Sequence, residues 1–152
     1  MLTVSVARRP PAHDDPELAP RLRLAITRMA RVLRQEINRT GTEPSPIMAA
    51  ALVTVEQEGP LTPSELADAE RIQRPTATRV VATLAAAGFV TRCPDPSDGR
   101  VSRVAITPAG RAALKRIRSR KNEYLARQLR QLDADELAVL SQAVKILERL
   151  LA

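Results

Sequence analysis

The residues of this chain best suited to chemistry are basic and hydroxyl-bearing. Positions 74–83 read Arg74-Pro75-Thr76-Ala77-Thr78-Arg79-Val80-Val81-Ala82-Thr83. Placed on a helix, Ala77, Val80, Val81, Leu84 and Ala87 fall on one face. Arg74, Thr76, Thr78, Arg79 and Thr83 occupy the first turn and the opposite side. Guanidinium groups pair bidentately with guanine, and threonine meets phosphates or thymine methyls, so such a face can read duplex DNA in the major groove. A second basic group follows at Arg92, Arg100 and Arg103, with Asp98-Gly99-Arg100 in a turn-forming stretch. Taken alone, the same polar face is an ordinary solvated helix surface. Its place among the neighbouring elements decides between the two readings.

Other chemistries lack their residues. Among 152 residues there is one histidine, His13, and one cysteine, Cys93. One cysteine closes no internal disulfide and builds no cysteine zinc cluster. A histidine general base would have to come from a Pro-rich leader, and no nucleophile–base pair or phosphate loop is present. The expectation is therefore a protein that is not an enzyme and uses no cofactor or metal. Cys93 reads as a passive small hydrophobe.

The elements that must position the basic face follow from periodicity and punctuation. Apolar residues at Leu18, Leu22, Ile26, Met29, Leu33 and Ile37 describe an amphipathic helix ended by Thr40-Gly41. Ser45-Pro46 starts a helix running to about Glu58, with Ser45 expected to accept a backbone bond. Thr62-Pro63-Ser64-Glu65 is a capping box opening a short helix to about Ala69. A turn at Glu70-Arg71-Ile72 leads to the helix from about Gln73 to Ala87, closed by Gly88. Helices joined by so short a turn cross steeply, as in a helix-turn-helix. Residues 89–93 and 101–106 read as strands around the turn-rich stretch 94–100. Thr107-Pro108 opens a long helix with Leu114, Ile117, Tyr124, Leu125 and Leu129 on one side. Asp133 to Glu136 caps a last helix striped with Leu137, Leu140, Val144, Leu147 and Leu150. The sum is a mainly α fold with a small β-hairpin wing, a winged helix-turn-helix between N- and C-terminal helices.

Charge agrees with the placement. The chain carries 24 Lys plus Arg against 17 Asp plus Glu, a net of +7. From Arg71 to Lys121 there are twelve basic residues and two Asp, a net of +10, so the rest of the chain sums to −3. Concentration of this kind reads as a phosphate-facing stripe. With one Phe, one Tyr and no Trp, the chain has little on which to stack single-stranded bases, so duplex DNA is the expected partner. A winged helix used as a protein-docking module without DNA binding is the alternative, and an Arg-rich centre counts against it. The longest apolar run, Ile47 to Val53, is seven residues, too short for a bilayer. Arg8-Arg9 leads into prolines rather than an apolar stretch. No membrane association and a cytoplasmic location are expected.

These pieces together resemble the MarR family of bacterial regulators. The resemblance is carried by Ser64-Glu65-Leu66-Ala67, by Arg74-Pro75-Thr76-Ala77-Thr78-Arg79, and by Leu84 through Gly88-Phe89-Val90. The hairpin adds Pro94-Asp95-Pro96-Ser97-Asp98-Gly99-Arg100, and Ile106-Thr107-Pro108-Ala109-Gly110 opens the next helix. Residues 1–15 have no sustained periodicity and read as a flexible leader, and the resemblance implies one domain over 16–152. Within that domain the winged helix-turn-helix would span about 45–107, with dimerisation helices about 17–38 and 108–151. It also implies a homodimer, often a repressor, on a pseudo-palindromic operator. Arg100 would reach the minor groove from the wing, and Asp98 would hold the wing in shape. The family often has Gly in the turn before the recognition helix and Ser as its cap; this chain has Arg71 and Gln73. If Arg71 takes a positive φ, the strain is roughly 1 kcal/mol.

The family also senses small lipophilic anions, often phenolic, between its dimerisation helices and winged helix. Here the candidate effector residues are Arg28, Arg31 and Tyr124. Uncovered apolar stripes at both chain ends independently favour a second copy as partner.

Overall fold

The computed structural model of the protein describes residues 15–38 and 43–152. The expected leader, apart from Asp15, and the Thr40-Gly41 end signal lie outside the described residues. The described residues divide into two units, one ending at Val32 and the other beginning at Leu33. Helix α1 (Leu18–Asn38) runs across this division. In the first unit its apolar stripe, Leu18, Leu22, Ile26 and Met29, is exposed. In the second, its final turn buries Ile37.

The second unit continues with α2 (Pro46–Glu58), α3 (Pro63–Ala69), α4 (Arg74–Ala86), β1 (Val90–Pro94), β2 (Ser102–Ile106), α5 (Pro108–Leu129) and α6 (Ala134–Leu151). This is the expected order, mainly helical with one antiparallel hairpin. Its core unites Leu52 and Val55 of α2, Leu66 of α3, Val81 and Leu84 of α4, Val104 of β2 and Leu114 of α5. Residues of α2, α3, α4, β2 and α5 thus close a single apolar centre, and α4 is held on it by Ala77, Val80, Val81 and Leu84. Ala87, expected on the same inner face, is exposed as the helix C-cap.

Local chemistry explains most boundaries. Thr62 and Glu65 form the full capping box of α3: the Glu65 N–H donates to Thr62 Oγ1 at 3.1 Å and the Thr62 N–H to Glu65 Oε2 at 2.7 Å. Asp133 and Glu136 do the same for α6. Ser45 differs from expectation, since its side chain makes no capping bond. Pro46 at the first helical position already removes one donor, so less is left for the serine to satisfy. The strands pair from Val90 opposite Ile106 to Pro94 opposite Ser102. Leu61 adds a bridge on the outer edge of β2, exchanging bonds of 3.1 and 2.7 Å with Val104. A single extended residue between Pro60 and Thr62 has no periodicity, so this third pairing left no mark in the sequence.

The wing is joined to α5 by a close approach. Thr107 donates its hydroxyl to the Gly88 carbonyl at 2.6 Å and accepts the Gly110 N–H at 3.1 Å. A Cβ on Gly110 would stand 2.2 Å from the Phe89 carbonyl oxygen. Farther along α5, Leu114 and Ile117 are buried, Tyr124 and Leu125 are half-buried, and Leu129 is exposed. α6 buries nothing completely; Leu137, Leu140, Val144 and Leu150 of its stripe are exposed. Among the described residues, no helix is long and apolar enough to cross a membrane.

Candidate nucleic-acid interface

α4 presents its polar side as the spacing requires. Arg74, Thr78, Arg79 and Thr83 are exposed and Thr76 is half-buried. The helix begins without a side-chain cap from Gln73, and no acid stands in its first turn. Thr78 donates its hydroxyl to the Arg74 carbonyl at 3.0 Å, and Thr83 to that of Arg79 at 2.9 Å. With those hydrogens held by the helix, each threonine has its methyl and oxygen lone pairs left for a ligand. That favours thymine methyls over phosphate acceptors. The turn before α4 takes the shape anticipated from the missing glycine, because Arg71 has φ 52°.

The wing is built around an aspartate that the sequence reading passed over. Asp95 is buried at 8% exposure. Its Oδ1 accepts the Ser97 N–H at 2.8 Å, the Ser97 hydroxyl at 2.5 Å and the Asp98 N–H at 3.2 Å. Its other oxygen accepts Arg103 Nε. The Ser97 hydroxyl, with Arg103 behind it, holds the Asp95 carboxyl far below the usual carboxylate range. Asp98, at the tip, accepts the Arg100 N–H at 3.0 Å.

Arg103 serves the wing's base. Besides Asp95, its Nη1 donates to the Pro60 carbonyl at 2.9 Å and to Glu65 Oε2 at 3.1 Å. One guanidinium thus ties the wing to the start of α3, using the carboxylate that already caps that helix. The Thr62 backbone bond, then its hydroxyl and the Arg103 charge, hold Glu65 below its ordinary value. Arg103, expected among the DNA-binding residues, has its guanidinium engaged by these acceptors. An aspartate two residues before a serine in Asp95-Pro96-Ser97 is a recognisable side-chain turn, the one signal that could have identified the hub.

The remaining cations sort by partner. On α5, Arg116 and Arg120 reach Glu43 at 3.0 and 3.6 Å, and Arg118 and Arg127 pair with Glu56 and Glu36. The Glu43 side chain is itself only 2% exposed, and its Oε2 has no hydrogen-bond partner among the described residues. In contrast, Arg74, Arg79, Arg92 and Arg100 are exposed and belong to no ion pair among the described residues. The +10 stripe therefore includes Arg116, Arg118 and Arg120 of α5 and Arg103 of the wing, which are paired, and Arg74, Arg79, Arg92 and Arg100, which are not.

The expected effector residues are not gathered at one cavity of the second unit. Arg28 and Arg31 are exposed on α1 within the first unit. Tyr124 stands on α5 with the Arg127 guanidinium 5.8 Å from its ring centre. A cavity of about 300 Å³ is lined instead by Arg34, Ile37, Pro44, Val53, Ile117 and Lys121 among others.

A helix-turn-helix followed by a hairpin, with free arginines on both, defines a winged helix-turn-helix protein. Residues 49–102 match the model of the MarR family. An HTH-type transcriptional regulator of Mycobacterium bovis, Mb0904, is 37% identical over 134 residues, 88% of this chain and 92% of its own. A transcriptional regulator of Pseudomonas aeruginosa superposes with a TM-score of 0.77 at 32% identity, covering 92% of this chain and 97% of that one. A MarR family protein from Bacillus stearothermophilus shares the fold at a TM-score of 0.71 and 23% identity, over 90% of this chain and 94% of its own. The chain belongs to the MarR family, a family of DNA-binding transcriptional regulators.

Proposed function

We propose that the chain is a sequence-specific regulator that binds a pseudo-palindromic duplex site as a homodimer, represses from it, and is released by a small lipophilic anion. The carrying observation is the distribution of unpaired cations. Arg74 and Arg79 with Thr76, Thr78 and Thr83 read the major groove, and Arg92 and Arg100 engage the flanking backbone and minor groove. Arg103 supports them by fixing the wing against α3. Two-fold symmetry sets half-sites about 34–36 Å apart.

The effector site in this reading is the cavity beside Arg34, Arg118 and Lys121. Its volume of about 300 Å³ is at the lower end for small-molecule pockets. With no aromatic in its lining, an aliphatic or singly ringed anion suits it better than a large stacked one. Incubation of the purified protein with sheared DNA of its own genome, followed by footprinting of the retained fragments, tests the reading. Protection of two symmetric half-sites supports it. Retention without a protected sequence overturns it.

A further inference from the structure

The turn between α3 and α4 carries a backbone outlier that has no part in the base-reading face. Arg71 has φ 52°, and it is the one non-glycine residue with a positive φ among those described. A side chain is disfavoured there because Cβ crowds the carbonyl oxygen, whereas glycine is unstrained. The turn is fixed by backbone bonds, Arg71 N–H to the Asp68 carbonyl at 3.2 Å and Ile72 N–H to the Ala67 carbonyl at 2.9 Å. None of these needs an arginine side chain, so the fold alone would be better served by glycine. Strain kept against the interest of the fold marks positions where the side chain does something else.

The side chain of Arg71 is exposed and joins no ion pair among the described residues. Its neighbouring acid, Glu70, is occupied elsewhere, accepting the hydroxyl of Thr54 on α2. In a docked helix-turn-helix the first helix crosses the phosphate backbone while the second enters the groove by its N-terminal residues. A cation on the turn that joins them stands where the phosphates pass.

We propose that Arg71 is a phosphate-contacting residue of the DNA interface, held in a left-handed backbone at the edge of the recognition helix; this rests on the DNA-binding reading of α4 and the wing. A phosphate contact acts on every sequence alike, so its loss from both half-sites of the dimer lowers affinity uniformly and takes about 1.8 from the salt slope.

The test is fluorescence anisotropy of the full chain over a salt series. The probes are a random-sequence duplex and the duplex that the wild-type protein enriches from a random pool. Arg71→Gly is expected to weaken binding to both by about sixtyfold at 0.1 M salt, the loss that a slope change of about 1.8 gives over the decade below 1 M. Its thermal midpoint should rise by about 2–4 °C as the strain is released. Arg71→Lys should keep the wild-type slope. Unchanged affinity and slope in Arg71→Gly, with the wild type binding normally, overturn the role of Arg71 alone. A loss of affinity accompanied by a lower midpoint also overturns it, since the turn itself would then have failed. A wild type that binds neither duplex overturns this role together with the DNA-binding reading.

Discussion

Arg100 and Arg103 stand three residues apart, and their surroundings give them opposite duties. Arg100 is exposed at the wing tip, while Arg103 is bound to Asp95, Glu65 and the Pro60 carbonyl. Arg100→Ala is expected to weaken specific DNA binding by about 1–3 kcal/mol while leaving the unfolding midpoint in place, as is Arg79→Ala. Titration of each variant with the footprinted duplex, beside a thermal melt, checks this; wild-type affinity in both would refute it. Arg103→Ala should instead lower the midpoint and the amide protection of the hairpin.

The Asp95 link also carries a pH signature. Its folded carboxyl titrates below its unfolded value, so its contribution is complete above the ordinary carboxylate pKa of about 4 and fades as pH falls below that. The midpoint gap between the wild type and Asp95→Asn should stay constant from about pH 8 to 5 and shrink in stronger acid. A gap that widens on acidification would contradict the assignment.

At the scale of elements, the strongest constraint is the junction of hairpin and α5. Gly110→Ala would improve helix propensity by about 1 kcal/mol, yet its Cβ would meet the Phe89 carbonyl oxygen and Ile106 Cγ1 at 2.2 and 2.8 Å. Overpacking wins, and a net destabilisation of about 1–3 kcal/mol is expected in urea unfolding. In the core, Leu84→Ala should cost about 2–5 kcal/mol, because the side chain is fully buried where α4 meets the centre. Element order was legible because Pro, Gly and capping residues punctuate it: Thr62-Pro63-Ser64-Glu65 formed the expected box, and Asp133 to Glu136 capped α6. The inner face of α4 was equally legible from its spacing. The Leu61 bridge and the Asp95 hub were not, since both depend on partners 43 and 8 residues away that local pattern does not couple. For the same reason charge counting merged free and neutralised arginines; only the positions of Glu43 and Glu56 separate them.

For the whole molecule, the stripe of α6 exposes Leu140, Val144 and Leu150 at 40, 45 and 71%. Water-facing apolar surface of that extent is what a second copy would cover. Sedimentation at micromolar concentration should therefore find a dimer, and a monomer would exclude the two-fold operator. Dimeric docking would double the set of free arginines on the DNA, and this makes electrostatics the most direct probe. The decisive measurement is the affinity of the wild-type protein for its footprinted duplex between 50 and 200 mM salt. With about six to ten phosphate contacts, affinity should fall by roughly 10³–10⁵ across that range. Binding that is insensitive to salt would contradict an interface built from the unpaired arginines of α4 and the wing.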